Sequence, residues 1–292
     1  MYTTYCWLNG KILPTREASV NVLDIGLMRG YAIYEALTTY GGTPFMLADH
    51  LARFRQSAKA MKLDVLASDE EITAAISELV ARNGFKETNI KFILTGGTTI
   101  SGIEYVPGHS VFYILAEEFV PLEKRFVEHG CKLITHEFQR QYPGYKTTNY
   151  ITGVMLQPAR KAAGALEVLF TWQGKVSECA TSNFFIVKNG TIVTPIDGIL
   201  FGITRKVVLS LARTASMPIE ERDITTDELT TADEAFITSS FKEVVPVVHI
   251  NDDIIGDGRV GPMTQKIIQL FKEFSREESV AISNMHVASA MS

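Results

Sequence analysis

The chain has 292 residues, a net charge of -5 and 46% hydrophobic side chains, enough for one large or two medium domains that each bury a core. An acidic balance without any basic run excludes nucleic acid or an anionic membrane as the main partner. The longest apolar stretches, such as Val111 to Ala116, are strand-sized and too short to cross a bilayer.

The start, Met1-Tyr2-Thr3-Thr4-Tyr5-Cys6, has neither the basic segment nor the apolar core of a secretion signal. Three widely spaced cysteines (Cys6, Cys131, Cys179) give no disulfide framework and no CxxC site, and they fit a reducing cytoplasm. The histidines lack HxxxH and HExxH spacing, so no metal is expected.

In chain order, Tyr5–Leu8 and Lys11–Leu13 flank Asn9-Gly10, the strongest short hairpin signal. A second hairpin is predicted from Ala32 to Tyr40 and from Thr43 to Leu47 around Gly41-Gly42. Asp49 is the expected cap of a helix with Leu51, Phe54, Ala58 and Met61 on one stripe. Ser68-Asp69-Glu70-Glu71 has the capping-box pattern and opens another helix, closed by Asn83-Gly84. Ile90 to Thr95 and Ser110 to Ala116 read as strands around a loop rich in Gly, Thr and Ser.

Charged, Pro-containing residues up to Lys124 read as a linker. Beyond it come a strand (Cys131 to Phe138), a helix (Ile151 to Ala163) and strands at Leu166 to Trp172, Glu178 to Val187 and Thr191 to Thr194. A helix from about Thr204 to Ala215 follows, then a capping box at Thr225 to Glu228 and strands at Glu234 to Thr238 and Val244 to Ile250. Met263 to Phe274 reads as the last amphipathic helix, and the small, polar composition after Ser275 reads as a disordered tail. The expected organisation is α+β: a small N-terminal domain (1–117), a linker (118–124), a larger C-terminal domain (125–275) and a tail (276–292).

Lys146 stands out among the polar residues. Pro143-Gly144 breaks the chain just before it and Tyr145 and Tyr150 flank it, a setting in which a lysine can be partly desolvated and its amine freed for Schiff-base chemistry. Glu178 follows in Gly174-Lys175-Val176-Ser177-Glu178, and Gly202-Ile203-Thr204 opens a helix whose N–H groups suit a phosphate. An amine, a carboxylate and a helix start are what the aldehyde, ring nitrogen and phosphate of pyridoxal 5'-phosphate require.

Tyr145-Lys146-Thr147-Thr148-Asn149-Tyr150, Ser182-Asn183-Phe184-Phe185, Ile199 to Arg205 and Ile255 to Thr264 occur with these motifs in one order. As a set they resemble the class IV (fold type IV) pyridoxal-phosphate aminotransferases, over nearly the whole chain from Leu8 to about Phe274. The resemblance implies a two-domain fold like that of D-amino-acid aminotransferase, a cytoplasmic homodimer, and a small-molecule amino acid and 2-oxo acid as partners. It implies that Lys146 binds the cofactor and shuttles the proton, that Glu178 faces the ring nitrogen and that Tyr150 bonds the phenolic oxygen. Leu200 would wall the ring. Arg53, Ile203, Thr204, Ser239 and Ser240 would hold the phosphate, and Tyr34 and Phe241 would line the substrate pocket.

The chain departs from the family in two places. The loop Thr95 to Pro107 has neither the arginine nor the histidine typical of D-amino-acid members, and Asn89-Ile90-Lys91 stands where branched-chain members have Tyr-x-Arg. Arg29 or Lys91 is the expected substitute anion binder. The Ser239-Ser240 pair before Phe241 resembles the D-amino-acid branch, so the leading expectation is D-amino acid:2-oxo acid transfer by a ping-pong scheme. An L-branched-chain aminotransferase is the alternative, followed by an aminodeoxychorismate-type lyase and a non-catalytic member.

Overall fold

Asn9 and Gly10 both take positive φ, which turns β1 (Tyr5–Leu8) back onto β2 (Lys11–Pro14). The computed structural model to which this hairpin belongs describes residues 4–99 and 101–290, with side chains through 279. The chain divides into two units. The first comprises residues 1–120, 145–149 and 275–292, and the second 121–144 and 150–274.

In the first unit, a short helix α1 (Ile25–Arg29) precedes β3 (Ala32–Tyr40) and β4 (Thr43–Pro44). Helices α2 (Leu47–Ala60) and α3 (Asp69–Asn83) follow, then β5 (Thr88–Thr95) and β6 (Val111–Glu118). The strands form a six-stranded sheet in the order β2-β1-β6-β5-β3-β4. Along β3, Ile33, Glu35 and Leu37 share one face and Tyr34 and Ala36 the other, as strand pleating requires. Ile33 and Leu37 join Phe54, Ile76, Phe92 and Ile114 in a core between the sheet and the helices.

The α3 capping box forms as its sequence predicts, and Gly84 closes the helix in the left-handed conformation. The start of α2 differs. Met46, at φ 50, is the N-cap, and Asp49 lies in the first turn, where its charge favours the positive end of the helix dipole.

The second unit contains α4 (Lys124–Glu128), which falls partly in the expected linker, and β7 (Cys131–Glu137). The helix expected from Ile151 to Ala163 is two short ones, α5 (Ile151–Met155) and α6 (Gln157–Ala162), because Pro158 lacks the N–H that would continue the ladder. Next come β8 (Glu167–Trp172), β9 (Lys175–Cys179), β10 (Asn183–Lys188) and β11 (Thr191–Thr194). The strand expected from Glu178 to Val187 is thus broken at Ala180-Thr181-Ser182, and this bend lets β9 pair with both β8 and β10.

Helix α7 (Ile203–Thr214) is followed by β12 (Ile219–Glu221), β13 (Ile224–Thr225), α8 (Thr226–Leu229), β14 (Glu234–Ser239), β15 (Glu243–Ile250) and β16 (Asp253–Ile254). The ten-stranded sheet runs β12-β11-β10-β14-β15-β7-β8-β9-β13, with β16 on β15. Its main core gathers Leu133, Leu169, Phe184, Ile186, Ile237 and Val245.

Helix α9 (Pro262–Ala290) runs past Phe274 through the residues expected to be a disordered tail. Residues 275–290 contain no Pro or Gly and are rich in Ser and Ala, so nothing in them stops the helix. Met291 and Ser292 lie outside the described residues.

Candidate active site

In the first unit the segment Tyr145–Asn149 runs beside β3. The Tyr34 N–H donates to the Lys146 carbonyl at 2.9 Å, the Thr148 N–H to that of Ala32 at 3.1 Å, and Ile33 bridges Thr147. These bonds fix Lys146 against the strand, half-buried, with Nζ 4.4 Å from the centre of the Tyr34 ring. The Lys146 N–H also approaches Ser57 Oγ, at 3.4 Å. The sequence alone places this segment in the C-terminal domain; its backbone pairing with β3 groups it with the first unit.

Glu35, on the opposite face of β3 from Tyr34, is fully buried. Arg53 of α2 grips it with both ends of a fork, Nε to Oε2 at 2.9 Å and Nη2 to Oε1 at 2.6 Å. His50, one turn earlier, brings Nδ1 to 3.1 Å from Oε1, and the Ala36 N–H donates to the same oxygen at 2.8 Å. Burial pushes the Glu35 carboxyl up, but Arg53 and then His50 outweigh it and hold it well below the usual carboxylate range. Burial pulls the His50 imidazole down, against the opposing pull of Glu35.

The two candidate anion binders of this unit stand apart. Lys91 lies on the same face of the sheet as Tyr34, but its Nζ pairs with Glu117 at 2.6 Å. Arg29 is the exposed last residue of α1, with Nη1 donating to the Met28 carbonyl at 2.9 Å.

In the second unit Glu178 is buried on β9. Its Oε1 accepts from Arg140 Nη1 at 2.6 Å, and its Oε2 accepts from the Leu200 N–H at 3.0 Å and from Asn183 Nδ2 at 3.3 Å. Asn183 also donates to the Leu200 carbonyl at 2.7 Å, so one amide ties the carboxylate to the segment that carries Leu200. Arg140 lies 5.9 Å from the Tyr150 ring centre, which brings Tyr150 to the same cluster. A charged arginine bonded to a buried carboxylate keeps that carboxylate ionised.

The N-terminus of α7 begins two residues beyond Leu200. Gly202, the N-cap, supplies no side-chain cap to the amides of Ile203 and Thr204. It is glycine because the space is filled: a Cβ there would stand 2.1 Å from Asn183 Oδ1. Ser239 ends β14, with Ser240 and Phe241 in the turn that follows. The buried hydroxyls of Thr238 and Ser239 have no hydrogen-bond partner among the described residues.

An uncapped helix start and orphaned hydroxyls suit a phosphate, and an ionised buried carboxylate suits a protonated ring nitrogen, so this donor set fits pyridoxal phosphate. Sequence reasoning misses Arg140, Asn183, Glu35 and His50. Arg140 stands six residues before Lys146 in an unremarkable loop, whereas Glu35, a carboxylate inside an apolar strand, is detectable as a misfit needing a partner. Among the described residues no group of His, Cys, Asp and Glu is arranged to hold a metal ion.

Residues 32–250 match the model of the class IV amino-transferase family, and the chain belongs to that family. It is an aminotransferase of fold type IV. A protein of Methanocaldococcus jannaschii, provisionally named a branched-chain-amino-acid aminotransferase, is 32% identical over 285 residues, covering 94% of this chain and 98% of that one. The D-alanine aminotransferase of Bacillus licheniformis is 33% identical over 264 residues, covering 89% and 93%. Among solved structures, the branched-chain aminotransferase of Thermoproteus uzoniensis with norvaline superposes with a TM-score of 0.86 at 30% identity, covering 95% and 96%.

Proposed function

We propose that the chain is a pyridoxal-phosphate transaminase that moves the amino group of a D-amino acid to a 2-oxo acid. The observation that carries the transaminase chemistry is the buried Glu178 carboxylate bonded to Arg140. When bound, pyridoxal phosphate supplies an aldehyde for the amino group and a ring that takes up electrons from the substrate's α-carbon. Glu178 keeps the ring nitrogen protonated, and its Arg140, Leu200 and Asn183 bonds stop the carboxylate from turning away.

Lys146 would hold the cofactor through its amine, and the same Nζ would move the α-proton. The Tyr34 ring, 4.4 Å from Nζ, holds that amine in place. The amides of Ile203 and Thr204, the hydroxyls of Ser239 and Ser240 and the guanidinium of Arg53 take the phosphate, Leu200 walls the ring, and Tyr150 bonds its phenolic oxygen. Donor and acceptor take turns at one site, so the kinetics are ping-pong.

The D preference rests on the Ser239-Ser240 turn, where hydroxyls stand beside Phe241. The L-branched-chain reading is favoured by the likeness to solved branched-chain enzymes. For the substrate carboxylate we assign Arg29 over Lys91, since Glu117 already occupies Lys91. No side chain at 96 can take the task, because a Cβ on Gly96 would lie 2.7 Å from both Ile25 and the Tyr31 ring. Arg29 reaches the neighbouring loop, with Nη2 3.9 Å from where a Cβ on Gly102 would sit.

Incubating the enzyme with D-alanine and L-leucine, each with 2-oxoglutarate, tests the reading. Turnover of D-alanine is expected, with an Arg29→Ala variant raising KM for the amino donor about tenfold or more at similar kcat. Exclusive turnover of L-leucine contradicts the enantiomer preference. An unchanged KM in Arg29→Ala contradicts the role of Arg29.

A further inference from the structure

A buried carboxylate one residue from the pocket tyrosine does no chemistry in the scheme above, yet both of its oxygens are bonded. Glu35, which has no exposed surface, accepts two bonds from Arg53 and one from the Ala36 amide, and His50 approaches it closely. Replacing such buried ionic clusters by apolar side chains often leaves a protein as stable or more so, which makes stability a weak reason for this one. Its geometry offers a better reason. His50, Arg53 and Ser57 lie on one face of α2, at spacings of three and four residues. Ser57 meets the Lys146 amide, and Arg53 is the arginine assigned to the phosphate.

We propose that Glu35 is a positioning residue of the cofactor site, fixing the plane and place of the Arg53 guanidinium that is assigned to the cofactor phosphate. The inference rests on the reading of Arg53 as a phosphate ligand. Glu35 uses Nε and Nη2, the two donors of one edge, which sets the plane of the guanidinium as well as its place. The Ala36 amide in turn holds the carboxylate. An arginine with an unset plane loses rotamer freedom when it binds phosphate, and a pre-set one has already lost it.

The prediction is selective for the phosphate, and pyridoxal is the probe that isolates it: it has the same ring and aldehyde and no phosphate. Binding of pyridoxal phosphate and of pyridoxal to the full-length, cofactor-stripped chain is titrated by absorbance. Glu35→Gln is expected to weaken pyridoxal phosphate about tenfold or more while pyridoxal stays within about twofold. Glu35→Asp keeps the buried charge but is too short to hold the fork, and it should show the same selective loss, which covers the case in which Glu35→Gln does not fold.

Equal loss for both ligands, or loss for neither, overturns the inference. Arg53→Ala separates it from the reading beneath it. If Arg53→Ala leaves pyridoxal phosphate binding intact, the phosphate role of Arg53 fails and this inference with it. If Arg53→Ala is selectively weakened and the Glu35 variants are not, only the role of Glu35 fails.

Discussion

His50 shows how one residue records its surroundings in a measurable pH dependence. Burial holds its imidazole below the ordinary value of 6.5, despite Glu35 beside it. In the unfolded chain it titrates near that ordinary value. Below pH 6.5 the unfolded state therefore binds a proton that the folded state refuses, and stability falls as pH drops toward the folded pKa. Above pH 6.5 both states are neutral and the contribution is flat. Urea unfolding at a series of pH values should show a decline of up to about 1.4 kcal/mol per unit below that point, with His50→Gln losing most of it. A slope that survives in His50→Gln would mean that other groups cause the acid sensitivity. Glu35, held low, loses its charge only at far more acidic pH.

At the scale of elements, the start of α7 concentrates the consequences of one missing side chain. Alanine at 202 would suit the backbone, whose φ is -66, but its Cβ would collide with Asn183 Oδ1. Asn183 must then give up its bonds to Glu178 and Leu200. Gly202→Ala is expected to weaken pyridoxal phosphate binding about tenfold and to lower stability by about 1–3 kcal/mol, read by cofactor titration and by urea unfolding. Unchanged affinity would mean that the α7 start does not hold the phosphate.

Much at this scale is legible in the sequence. The Asn9-Gly10 hairpin and the Ser68 capping box carry their chemistry within a few residues, so local rules suffice. What escapes depends on distant partners. The break at Ala180-Thr181-Ser182 exists because β9 must serve both β8 and β10, and α1 is too short for a periodic signal.

Across the whole molecule, order along the chain carries the reading further than any single segment. Lys146, Glu178 and Gly202-Ile203-Thr204 are separated by many residues, and their succession with the flanking motifs points to the family that the matched span 32–250 defines. Partners are less legible than the residues themselves. Nothing near Lys146 in the sequence says that it pairs with β3, and nothing near Glu178 says that Arg140 neutralises it, because both contacts are made by folding. The tail departs from expectation for a physical reason of the same kind: small, polar composition suggests disorder, while the lack of Pro and Gly leaves α9 unbroken through Ala290.

The central claim is that Lys146, among all the lysines of this chain, is the one that takes the cofactor. Reducing the protein with borohydride in the presence of pyridoxal phosphate and mapping the modified peptide by mass spectrometry tests it directly. The account predicts a single phosphopyridoxyl group on the peptide containing Lys146 and none on a Lys146→Ala variant. A modification on any other lysine, or an unmodified Lys146 peptide, would contradict it.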